Sequence, residues 1–242
     1  MINKENSIIT NQNSSKKVMV GILVFGSIWG LFDAISVLYI APFFHVRQLC
    51  LCPLTVVIFG FFLMTIALVM YKKPIMMVGI GVTAALFKLL NFAILPLPVI
   101  NGYVAFQPVV NPALATLVAS IIYALFAGLL MNKLKSNIHI RIIAGILTGF
   151  LCTVAFVYTA FYITTTPPLI VNTPTQFIFP FHSLASAILG AVFLPFGYWV
   201  GANLQQKTFF LSVKKPLLYY LGSGMTVVFC LIISTIILMS GI

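Results

Sequence analysis

Seven stretches of this chain are apolar for about the length of a membrane-spanning helix, and charge is almost confined to the gaps between them. A spanning helix needs about 20 consecutive, mainly apolar residues. The runs 18–42, 53–71, 74–97, 112–132, 140–164, 180–204 and 216–240 meet that requirement. Pro53, Pro74, Pro112, Pro180 and Pro216 stand at their starts, where a missing backbone N–H costs nothing. The expected fold is all-α, a multi-pass bundle of about seven transmembrane helices in the cell membrane. Only 6% of residues are charged and 62% are hydrophobic. A soluble domain carries roughly a quarter charged residues, so too few charges exist here to cover a water-facing surface.

The placement of the basic residues orients the bundle. With the N-terminus inside, eleven basic residues face the cytoplasm: Lys4, Lys16, Lys17, Lys72, Lys73, Lys133, Lys135, Arg141, Lys207, Lys214 and Lys215. Only Arg47 falls outside. Cytoplasmic loops gather Lys and Arg, so the N-terminus is expected inside and the C-terminus outside. The net charge of +11 is divided into small clusters, not the continuous basic face that binds nucleic acid. Its expected partner is the lipid bilayer. Residues 1–17 are polar and read as a disordered cytoplasmic tail, with 18–242 a single transmembrane domain.

A short pattern recurs. Gly26-Ser-Ile-Trp-Gly-Leu-Phe-Asp33 matches Gly81-Val-Thr-Ala-Ala-Leu-Phe-Lys88 at a shift of 55 residues in the glycine, the Leu-Phe pair and the charge. The fifth run has a fainter version at Ala155-Phe-Val-Tyr158. Among the even runs, Asn111-Pro-Ala-Leu-Ala-Thr116 resembles Phe181-His-Ser-Leu-Ala-Ser186. These matches fit three parallel helical hairpins plus one last helix. Chance likeness among apolar segments is the alternative. Substrate sites in repeat-built membrane proteins lie at the interface between repeats.

Asp33 and Lys88 are the two charges deep inside the apolar runs, Arg141 standing at the cytoplasmic edge of the fifth. Counting from the cytoplasmic edge at 1.5 Å per residue, both lie roughly 21–23 Å deep. Each alone costs about 2.5–3.5 kcal/mol at a helix centre, and pairing offsets that cost. Ser36 and Asn91 stand three residues beyond them, on the same helix faces. Asp33 and Lys88, with Ser36, Asn91 and Tyr158, are therefore the expected floor of a pocket open to the outside. The alternative is an ion pair that only sets helix register. The uncharged outer segments carry Asn101, Gln107, Asn172, Gln176 and His182, hydrogen-bonding groups suited to a lid over a small-molecule substrate. His45, Cys50 and Cys52 are candidate soft metal ligands, though their spacing matches no strong metal motif. No metal or cofactor is expected.

Catalytic motifs are missing. The sequence has no phosphate-gripping Gly-x4-Gly-Lys-Ser/Thr loop, no His-Glu-x-x-His and no Gly-x-Ser-x-Gly elbow. With two acidic residues, Glu5 and Asp33, catalysis by a carboxylate pair is excluded. An enzyme is not expected.

Small residues at Gly26-x3-Gly30-x3-Ala34 form a stripe that permits close helix packing. In this stripe, and in its small, very apolar helical architecture over 18–204, the chain resembles the substrate-binding S-components of energy-coupling factor transporters. That resemblance implies capture of a small solute from the outer face and docking on a transmembrane coupling subunit with two ATPases. It assigns docking to Gly26, Gly30 and Ala34. The seventh run departs from the family pattern, and no vitamin-specific signature is matched. The alternative function is a non-transporting membrane scaffold or assembly subunit of a larger complex.

Overall fold

A computed structural model of the chain describes residues 2–36, 56–89, 99–100, 103–104, 107–163, 173–178 and 182–239. Helix α1 runs Ile2–Ile35. A single π-turn at Val56–Gly60 opens α2, Phe61–Tyr71, and α3 is Met76–Leu89. A two-residue antiparallel ladder pairs Val99 with Val104 and Ile100 with Tyr103; we label these strands β1 and β2. Then come α4 (Gln107–Ser136), α5 (Ile138–Tyr162), the single turn α6 (Pro174–Phe177), α7 (Ser183–Lys214) and α8 (Pro216–Met239).

The fold is helical, as the apolar runs require. Five helices are long and apolar enough to cross a membrane: Ser15–Asp33, Val110–Ser136, Ile138–Tyr162, Ser183–Lys214 and Pro216–Ile237. Two more apolar helices, Val57–Tyr71 and Met76–Leu89, are shorter than that. They occupy the second and third runs, whose remaining parts lie outside the described residues. Helix α1 includes the polar stretch from Ile2. It contains no proline or glycine before Gly21, and a formed helix propagates more easily than it nucleates.

Helix order in space follows small residues. α3 packs between α1 and α4, α4 continues to α5, and α5 makes its most extensive contact with α7. α8 lies against α1 and only lightly on α7. α2 packs on α7, where Gly197 admits its backbone: a Cβ there would stand 2.7 Å from the Phe62 carbonyl oxygen. Leu63 through Val69 are all buried, so α2 is apolar and enclosed on nearly every side, as a central helix must be.

Polarity is inverted relative to a soluble domain. Leu125, Leu129, Ile143, Val192, Trp199 and Met225 face outward, whereas Ser27, Thr65, Thr116, Ser120, Thr148 and Ser186 are buried. Most of these inner hydroxyls donate to their own helix: Ser27 to Leu23 O, Thr65 to Phe61 O and Thr148 to Ala144 O, each at 2.6 Å. That local bond lets a hydroxyl enter an apolar interior without a distant partner. An apolar exterior around five spanning-length helices fits a membrane location.

Candidate functional site

Asp33 and Lys88 meet. Lys88 Nζ lies 2.6 Å from Asp33 Oδ2, with side chains 6% and 4% exposed. Asp33 comes from the last turns of α1 and Lys88 from the last turn of α3. The two helices reach each other because Gly26 and Gly30 have no side chains to hold them apart. A Cβ at Gly26 would strike the Thr83 side chain and stand 3.0 Å from the Ile80 carbonyl oxygen, and one at Gly30 would strike the Phe87 ring. The stripe expected to dock a partner is thus occupied by α3 of the same chain.

The lysine is saturated. Its ammonium also donates to the Pro112 carbonyl oxygen at 3.0 Å and to Thr116 Oγ1. Thr116 Oγ1 passes a bond on to the same carbonyl at 2.9 Å. An ammonium has three donors, and all three are used: one on α1 and two on α4. Gly81 brings α4 within reach, since a Cβ there would meet Ser120.

The aspartate is not saturated. Its Oδ1 is buried with no hydrogen-bond partner among the described residues. A carboxylate can accept about four hydrogen bonds, so acceptor capacity remains next to a fully engaged cation. One turn earlier on α1, the fully buried Trp29 has its indole Nε1–H without a partner among the described residues. Its ring lies against the Gly60 backbone. An unmatched donor and an unmatched acceptor therefore sit four residues apart on one helix, each costing free energy while unpaired. Sequence reasoning passed over Trp29. Its i−4 spacing from Asp33 was the available signal, because such residues share a helix face.

The other expected site residues divide. Ser36 is buried and donates to Phe32 O at 2.8 Å, leaving its oxygen as an acceptor beside the pair's helix face. Tyr158 is 44% exposed and stacks on Tyr162, with ring centroids 5.9 Å apart, so the faint repeat in the fifth run does not carry it into the core. His182 is buried and stacks on Phe177 at 4.3 Å. Gln176 is exposed on α6. Gln107 begins α4 and Ala34 follows Asp33 in α1, but both side chains lie outside the described set. Asn91, Asn101, Asn172, His45, Cys50 and Cys52 also lie outside the described residues. Among the described residues no three His, Cys, Asp or Glu side chains come together as a metal site.

Comparison of the chain with family models, with curated proteins and with solved structures gives no match.

Proposed function

We propose that the chain crosses the cell membrane seven times, N-terminus in the cytoplasm and C-terminus outside, and captures a small solute from the outer face for transport. The basic residues support the orientation, since eleven of them fall on one side and one on the other. The second and third runs complete the spans with residues beyond those described.

The reading rests on one observation: Asp33 Oδ1 is buried and has no hydrogen-bond partner among the described residues, beside a lysine whose donors are all engaged. That oxygen keeps capacity to accept hydrogen bonds. With Trp29 Nε1–H one turn away, the site matches a small solute carrying both a hydrogen-bond donor and an acceptor. Asn91 would join Asp33 and Lys88 in the floor, and Asn101, Gln107, Asn172, Gln176 and His182 would close over it. Intramembrane ionisable residues mark substrate pathways by default.

The resemblance to S-components adds a transmembrane coupling subunit and ATPases as partners. Since α3 fills the Gly26–Gly30 stripe, a coupling subunit using that stripe would have to displace α3.

The test is native mass spectrometry after gentle detergent extraction, followed by thermal shift with a panel of small polar solutes. A retained ligand, or a shift that disappears in Asp33→Asn, supports capture. A bare chain with no shift across the panel sinks it.

A second reading has its own support. Lys88 ties α1, α3 and α4 together, which suits a scaffold subunit of a larger complex. On that reading, replacing Asp33 and Lys88 together by leucine leaves activity and stability nearly unchanged, because removing a whole buried pair is often neutral. On the capture reading the same double variant folds but loses its ligand.

A further inference from the structure

The basic end of the bundle holds a second polar feature, independent of the Asp33 site. A cavity of about 300 Å³ opens between the end of α2, the end of α4 and the middle of α7. Lys72, Asn132, Lys135, Tyr198 and Gln205 line it over an apolar floor of Leu68 and Leu134. Each polar group can donate a hydrogen bond, and both lysines are cationic.

The surroundings raise the positive charge further. Arg141 packs its guanidinium over the Tyr198 ring, 3.8 Å from the centroid. It is fixed there by donating Nε to Leu134 O at 2.6 Å and Nη2 to Lys135 O at 3.0 Å. Among the described side chains no carboxylate answers these cations. The chain has two acids; Asp33 is engaged by Lys88, about 18 Å along α3 from its start at Met76, and Glu5 belongs to the N-terminal stretch.

Lys72 is held in place by the chain. It caps α2 with φ 54° and ψ 33°, a left-handed conformation, and is the one non-glycine described residue with positive φ. Glycine fits such a turn far better than a residue with a Cβ. The turn is fixed on both sides, by the Lys72 N–H bond to Leu68 O at 2.8 Å and by Pro74, which restricts Lys73. From this turn Lys72 lines the cavity.

We propose that this cavity binds a phosphate-bearing anion. Basic pockets between transmembrane helices take phosphate headgroups of lipids, and a free phosphate compound offers the same chemistry. The volume, at the small end of ligand pockets, fits one phosphate with a short polar attachment.

The test uses the full-length protein in neutral detergent. One arm incubates it with phosphatidylglycerol and phosphatidylcholine and measures retained lipid by native mass spectrometry. The other measures thermal shift with inorganic phosphate against chloride at equal ionic strength. Lys72→Gly combined with Lys135→Gln removes both charges and gives the turn its favoured residue. Lys207→Gln with Lys214→Gln removes equal charge away from the cavity lining. Wild type and the second variant should prefer phosphatidylglycerol, and the cavity variant should lose that preference by about thirtyfold, a factor of about five per charge. Lys135→Gln alone should lose about fivefold and serves if the double variant does not fold. A phosphate shift in wild type, lost in the cavity variant and with no lipid preference, assigns the site to a free phosphate compound. Equal behaviour of wild type and cavity variant in both arms overturns the proposal.

Discussion

The seam joining α1, α3 and α4 and the seam joining α5 and α7 hold helices together by different means. In the first, long charged side chains bridge the helices: Asp33 to Lys88, and Lys88 on to Pro112 and Thr116. In the second, two backbones touch. A Cβ at Gly145 would strike the Gly190 carbonyl, a Cβ at Gly190 would strike the Gly145 carbonyl, and Gly149 stands equally close to the Ser186 carbonyl. Lipid tails are as apolar as leucine, so helices in a bilayer gain little by hiding apolar surface from each other. Contact must come from dispersion at close range or from polar bonds; the first seam adds polar bonds to the close approach at Gly26 and Gly30, and the second relies on close approach. The paired motif residues show the contrast. Thr116 accepts a bond from Lys88, while its counterpart Ser186 is buried against the glycine seam with its hydroxyl unpartnered among the described residues.

Substitutions can break this comparison. The largest effect is expected for Asp33→Leu with Lys88 retained, which leaves a buried ammonium without its counter-charge. Stability in a denaturant titration should fall by about 3–5 kcal/mol. A fall below about 1 kcal/mol would mean that water reaches Lys88 and that the polar seam is wet. Gly190→Ala should come next, at about 1–3 kcal/mol, the usual cost of forcing volume into a packed contact. Its neighbours are backbone atoms on α5 and cannot rotate aside. If Gly190→Ala is silent in the same titration, the dry seam is looser than described. Thr116→Val is expected to be mildest, about 0.6 kcal/mol and at most about 1.7, because Lys88 keeps Asp33 and the Pro112 carbonyl. A larger loss would make Thr116 the centre of the polar seam.

Much of the helical fold was legible because spanning length and charge position are crude signals that context rarely overrides. The meeting of Asp33 and Lys88 was legible for a different reason. Two opposite charges at one depth in hydrocarbon have few partners but each other. The stripe of Gly26 and Gly30 told less: spacing announces a close approach but not whether the neighbour is another chain or, as here, α3. Tyr158, read from a faint repeat, is partly exposed on its helix. Cys152, Phe156, Val157 and Ala160 are the buried face of α5, and at 3.6 residues per turn Tyr158 falls outside it. Trp29 was hidden because an indole on an apolar face looks like packing until its N–H is found without an acceptor.

The Asp33–Lys88 contact also sets an order of events during synthesis. The two residues lie 55 positions apart, and α1 emerges first. At about 5–20 residues per second, the carboxylate exists for roughly 3–11 s before its cation has been made. During that interval Lys88 has not been made, so the acid stands without the partner it has in the folded chain. The chain thus makes its acid ahead of its cation, and any delay in translating the stretch between them lengthens the time before the two can pair.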